Sequence, residues 1–145
     1  MKTEDFLSRL DHERIVKAIR SAEAGTSAEI RIYVDRRELK DDPVSAGQKE
    51  FIRLGMDKTR DRNAVLIYVV PRAQEFAVIG DEEVHRRCGA ELWQQVADKM
   101  SEHFGNGHFS DAIIEAISYL AGVLAQHFPR GWRNPNELSD DVIEK

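Results

Sequence analysis

The sequence predicts an α/β fold built on a mixed β-sheet, and three observations carry that prediction. Residues 64–70, Ala-Val-Leu-Ile-Tyr-Val-Val, are apolar or aromatic throughout with no polar alternation, the pattern of a strand covered on both faces. The connection Pro71-Arg72-Ala73-Gln74 is short and polar, so residues 76–79 must return antiparallel beside that strand. Upstream, the alternating stretch Glu29-Ile30-Arg31-Ile32-Tyr33-Val34 is separated from the central run by a helical segment. Strand, helix and strand in that order imply a parallel pair joined by a right-handed crossover.

Each element has its own local cause. Apolar positions Ile15, Val16, Ala18, Ile19 and Ala22 recur at helical spacing after a capping residue, Ser8 or Asp11, and Gly25 stops the helix. In the first strand Ile30, Ile32 and Val34 share the drier face and Glu29, Arg31 and Tyr33 the other, which suits a strand toward the edge of the sheet. Residues 35–42 are charged and aperiodic and fit a turn, a loop or a short edge strand. Asp42-Pro43 then supplies an N-cap and a first-turn proline for a helix that runs through Ala46 and Phe51 to about Leu54, ended by Gly55. Beyond Asp81, the positions Val84, Cys88, Leu92, Trp93, Val96, Ala97, Met100 and Phe104 predict one long amphipathic helix. Gly105-Asn106-Gly107 breaks it, and a last helix capped by Ser110 continues to Phe128, where Pro129 forbids extension.

With 145 residues and 41% hydrophobic content, the chain fits one domain, residues 1–131, followed by a polar tail, residues 132–145. A net charge of -5 argues against nucleic acid, whose phosphates demand a basic surface excess. The basic pairs Arg36-Arg37 and Arg86-Arg87 have acidic neighbours and read as solvated faces. The single Cys88 excludes an internal disulfide and suits a reducing compartment. Neither a signal peptide nor an apolar run of the ~20 residues needed to span a membrane is present, so a cytoplasmic protein is expected. The five histidines lack the spacing of a helical zinc site, and no serine lies in an acyl-transfer motif.

The chemistry-bearing residues converge through chain direction. Parallel strands one and two start at the same rim, and the reversed third strand ends there, which brings Glu29, Asp61, Asn63 and Asp81 together with Asp57, Glu82 and Glu83 close by. Crowded carboxylates repel unless a cation or protons neutralise them, and hard cations such as Ca²⁺ or Mg²⁺ take oxygen ligands. The same residues fit a second reading: Asp81 caps a helix whose first turn carries Glu82 and Glu83, and Glu29 and Asp61 pair with neighbouring arginines.

The residues Thr26-Ser27-Ala28-Glu29-Ile30-Arg31, Asp42-Pro43, Leu54-Gly55-Met56, Arg62-Asn63-Ala64-Val65-Leu66-Ile67-Tyr68-Val69, Phe76-Ala77-Val78-Ile79-Gly80-Asp81, Trp93 and Phe128-Pro129 together resemble the TPM domain family over nearly the whole chain. The chain looks like a stand-alone soluble member. The resemblance implies a three-layer αβα sandwich around a sheet of about four strands, hence one short strand beyond the three read above. It also implies crossing loops held by divalent metal, similar to the segments around Glu29, residues 57–63 and Asp81. A phosphatase activity has been attributed to a plant relative. Relatives commonly carry glycine two positions after the matching aspartate, where this chain has Glu83.

Three functional readings result. The first is a non-enzymatic module with one or two divalent cations, Ca²⁺ or Mg²⁺, held by Glu29, Asp61 and Asp81 with carbonyls near Lys58 and Thr59. The second is a metal-assisted phosphomonoesterase using an aspartate and Arg62. The third is a protein-docking domain that presents the tail or the Arg86-Arg87 face. No catalytic residue is assigned, and oligomeric state is left open.

Overall fold

A strand buried on both faces forces cover on both sides, and β2, Val65–Val70, has all six residues buried. In the computed structural model, which describes residues 10–37, 41–73, 75–89, 91–130 and 142–144, β2 pairs in parallel with β1, Ile30–Val34, and antiparallel with β3, Glu75–Gly80. A short β4, Val142–Glu144, pairs in parallel with β1, so the sheet order is β3-β2-β1-β4. This strand lies inside the segment expected to be a polar tail; the rest of that expected tail, residues 132–141 and 145, falls outside the described residues. β1 is correspondingly an inner strand instead of an edge, and Tyr33 on its supposedly wetter face is fully buried.

Among the described residues there are five α-helices. Asp11 caps α1, His12–Ala24, by accepting the Arg14 N–H at 3.1 Å. Asp42 caps α2, Pro43–Arg53, through the Ser45 N–H at 2.9 Å. The expected long helix is two: α3, Glu82–Cys88, and α4, Glu91–Gly105. Gly89 separates them with φ 80°, a left-handed conformation cheap only for glycine, and its N–H closes the last turn on the His85 carbonyl at 3.1 Å. The last helix, α5, Phe109–His127, has His108 at its N-cap; Ser110, expected there, instead accepts the Asp11 N–H at 2.8 Å and ties α5 to α1.

The helices divide unequally between the faces. Ile30, Ile32, Val34, Val65, Ile67 and Val69 pack against α1, α4 and α5, with Ile15, Ile19, Val96, Met100, Ile113 and Leu120 among the fully or nearly fully buried partners. The opposite face, Tyr33, Leu66, Tyr68, Val70, Ala77 and Ile79, is covered by Phe51 of α2 and by Met56. The result is the αβα sandwich that the resemblance implies.

On that second face, at the rim where the parallel strands end, the sheet carries a polar network that the sequence did not announce. Asp35, with no exposure to solvent, accepts two hydrogen bonds from the Arg37 guanidinium, at 2.9 and 2.7 Å, and one from the Tyr68 hydroxyl at 2.6 Å. Glu50 of α2 bridges Arg37 at 2.7 Å and Arg53 at 2.6 Å, and Arg53 reaches the Tyr33 hydroxyl at 3.1 Å. Burial pushes the Asp35 carboxyl upward, but the hydrogen bonds from Arg37 and Tyr68 outweigh it and hold the group at about 2, against an ordinary 3.8. Burial and the bond to Asp35 push the Tyr68 hydroxyl up.

Because the folded value of Asp35 lies below the unfolded one, its stabilisation is complete above about pH 5 and is lost as the pH falls toward 2. Denaturant unfolding across that window should show a loss of about 2 kcal/mol that Asp35→Asn removes, the variant being less stable at neutral pH by about 3 kcal/mol. A wild-type profile that stays flat over the same range would rule the network out as the source of acid lability.

Candidate functional site

The start of β1, the start of β2 and the end of β3 form one rim, since Ile30, Val65 and Gly80 stand in register across the three strands. Backbone bonds extend that register outward. The Glu29 carbonyl accepts the Val65 N–H at 2.8 Å, the Ala64 carbonyl the Asp81 N–H at 3.0 Å, and the Arg62 carbonyl the Glu83 N–H at 3.2 Å. The chain reaches the rim from α2 through Gly55, φ 73°, and a 3-10 turn at Met56–Lys58. It then passes Arg62, whose φ of 51° is uncommon for a residue other than glycine. Asn63, almost fully buried, donates to the Ser27 hydroxyl at 3.0 Å and so locks this segment to the one that carries Glu29.

The seven acidic and amide residues singled out from the sequence therefore share a neighbourhood, but arginines meet several of them. Arg62 forms a fork on Asp81, Nε to Oδ2 at 2.8 Å and Nη2 to Oδ1 at 3.0 Å, and its Nη1 lies 3.4 Å from Glu82. Asp81 Oδ1 also accepts the Glu82 N–H at 2.8 Å as the cap of α3. Glu83 is gripped by Arg86 at 2.8 and 2.6 Å, which draws its carboxyl below the usual range. Asp61 stands half-exposed, 3.5 Å from Arg60. Hydrogen bonding to Asp81 raises the Arg62 pKa against some desolvation, and the negative charges of Asp81, Glu82 and Asp57 reinforce the rise, which places all three about one guanidinium.

The segment from Asp57 to Thr59 is different. Asp57 Oδ1 and Thr59 Oγ1 are buried and have no hydrogen-bond partner among the described residues, whereas buried polar atoms in folded proteins are seldom left unpaired. Glu29, 4% exposed, lies at the same rim. Carboxylate and hydroxyl oxygens with loop carbonyls are the donors that a hard divalent cation accepts. Among the described residues no group of three or more His, Cys, Asp or Glu is disposed to hold a metal. A cation there would accordingly draw on at most two side-chain carboxylates, Asp57 and Glu29, and complete its shell from Thr59 and carbonyls. The residues fit a hard ion on this side and an arginine on the Asp81 side.

Beside the rim lies a cleft of about 520 Å³ whose walls include Ser27, Arg60, Arg62, Glu82, Arg87 and Phe128. Phe128 in its wall is held by Thr26, whose hydroxyl donates to the carbonyls of Leu124 and Phe128 at 3.1 and 2.5 Å, and by Arg87, whose guanidinium sits 4.7 Å from the Phe128 ring centre. The sequence reading missed the Thr59 side chain, and it named Arg62 as a charge partner without placing it on Asp81. A threonine gives no cue that its hydroxyl will be buried alone, and an arginine in left-handed backbone has no sequence signature. His103 and His108 lie with ring centres 6.4 Å apart, and His103 pairs with Glu115 of α5. Cys88 is half-buried beside the core, where burial pushes its thiol up and away from nucleophile behaviour. No described helix is long and apolar enough to cross a membrane.

A profile of the TPM domain matches residues 1–123 of the chain. Among solved structures, the BA42 protein of the psychrophilic bacterium Bizionia argentinensis, determined by NMR, is similar to it with a TM-score of 0.85 and 28% identity over 92% of each chain. No curated protein matches.

Gly80 decides whether the rim closes. A Cβ there would come within 2.2 Å of the Trp93 ring, whose indole N–H is held by His85 Nδ1 at 3.0 Å. Gly80→Ala should therefore cost about 2 kcal/mol in chemical denaturation. A variant as stable as the parent would mean that Trp93 moves aside freely.

Proposed function

The chain belongs to the TPM domain family, and from that premise we propose that it is a non-enzymatic binding module whose rim loops are stapled by a divalent cation of the Ca²⁺ or Mg²⁺ kind. The observation that carries this reading is the pair of buried oxygens, Asp57 Oδ1 and Thr59 Oγ1, that no donor among the described residues meets. Burying a carboxylate oxygen without a partner is costly, and a hard cation is the neutraliser that such a donor set suits. Asp57 and Thr59 would bind the ion together with Glu29 and loop carbonyls, and the ion would join the segment before β2 to the segment before β1. The residues that the resemblance offers as ligands divide on this reading: Glu29 and Asp57 serve the ion, while Asp81, Glu82 and Glu83 serve arginines. Solvent-exposed Asp61 is left as a peripheral charge. A regulatory or protein-interaction role follows from a staple whose removal loosens the loops.

A second reading, metal-assisted phosphomonoester hydrolysis, draws support from the arginine-lined cleft beside the rim. The geometry of Asp81 weighs against it. Its two oxygens already accept three hydrogen bonds, two of them from a guanidinium, and an aspartate so engaged is a poor nucleophile and a poor base.

Ca²⁺ or Mg²⁺ at about 100 times its Kd should raise the melting temperature of the metal-stripped protein by roughly 5–10 °C. Asp57→Asn and Glu29→Gln should abolish that rise. A melting temperature indifferent to saturating metal would refute the staple. Turnover of a phosphomonoester that co-purifies to constant specific activity and vanishes in Asp57→Asn would favour hydrolysis instead.

A further inference from the structure

The acidic rim has an occupant of its own. Arg62 places one guanidinium on both oxygens of Asp81 and within 3.4 Å of Glu82, and the charge of Asp57 acts on the same group. This placement depends on backbone of the left-handed kind, φ 51°, which the Arg62 carbonyl helps hold by accepting the Glu83 N–H where β3 turns into α3. Asp81 is 6% exposed and its oxygens accept three hydrogen bonds, two from the fork and one from the Glu82 N–H, so an approaching ion meets a carboxylate already shared with Arg62. A guanidinium is permanently charged and its fork matches a carboxylate plane, so it competes for this position better than an ammonium would. It also repels a dication placed a few ångströms away.

We infer that Arg62 is the rim's resident cation: it keeps the Asp81–Glu82 side closed to metal, so that the chain takes one divalent ion, on the Asp57–Thr59 side, and not two. The inference rests on the metal-binding reading above and specifies how that site is limited. Removing the guanidinium frees two carboxylates, and affinity for hard cations rises with the number of charged ligands.

Isothermal titration of the full chain with CaCl₂ and with MgCl₂ tests this on wild type, Arg62→Asn and Asp81→Asn, with circular dichroism and thermal unfolding as checks on folding. Asparagine is chosen because it tolerates left-handed backbone. Wild type should bind about one ion per chain, Arg62→Asn should gain a second site or bind on the order of ten-fold tighter, and Asp81→Asn should leave the wild-type affinity within about two-fold. Superimposable isotherms for wild type and Arg62→Asn overturn the inference and leave the metal reading standing. Uptake by Arg62→Asn alone, or by neither variant nor wild type, overturns the one-ion inference together with metal binding by the native chain. If Arg62→Asn does not fold, Asp81→Asn decides: loss of the wild-type ion there overturns the inference, and retention supports it.

Discussion

β2 is buried on both faces, and almost everything else in the molecule answers to that constraint. A strand in this position needs a helical layer on each side, so the chain crosses over through α2 on one face and returns through α1, α4 and α5 on the other. It also needs a paired neighbour along each edge. The parallel pairing to β1 and the antiparallel pairing to β3 then set which chain termini share a rim, and Ile30, Val65 and Gly80 come to stand side by side although 50 residues separate the first from the last. The candidate rim is a by-product of satisfying one strand.

The two rims of the sheet handle buried charge in different ways. At the far rim Asp35, Glu50, Arg37, Arg53, Tyr33 and Tyr68 form a closed set in which both carboxylates are met by guanidinium and hydroxyl donors. Such a set clamps α2 to β1 and β2, and its hydrogen bonds specify one register where apolar packing alone would tolerate several. At the near rim the balance is incomplete. Arg62 answers Asp81 and Glu82, Arg86 answers Glu83, and the oxygens of Asp57 and Thr59 are left over. One rim is closed by its own hydrogen bonds, and the other leaves two buried oxygens unmet among the described residues.

Arginine and a divalent ion are alternative solutions to crowded carboxylates, with different consequences. A guanidinium is covalently attached and present at every metal concentration, so it gives constant order. An ion gives order only when it is bound, and can therefore report its own concentration. On the proposed reading, a rim that used both would separate a permanent half, which anchors the start of α3, from a conditional half around the segment leading into β2.

Much of this could be read in advance, because it depends on local pattern. The uninterrupted apolar run of β2, the short return to β3, the caps at Asp11 and Asp42, and the convergence of Glu29, Asn63 and Asp81 all follow from periodicity, capping chemistry and chain direction, which neighbouring residues encode. What escaped was set by partners far away in sequence. β4 pairs with β1 across more than 100 residues, Gly89 breaks what periodicity alone presents as one helix, Asp35 meets the Tyr68 hydroxyl only once β1 and β2 pair, and Arg37 is bridged to Glu50 only once α2 docks. Most of all, the residue types at the rim announced that negative charge would gather there, but not which positive charge would meet it. That depended on the single backbone angle that turns Arg62 toward Asp81, and a backbone angle of this kind is imposed by the register of the assembled strands and not by the identity of the residue that adopts it.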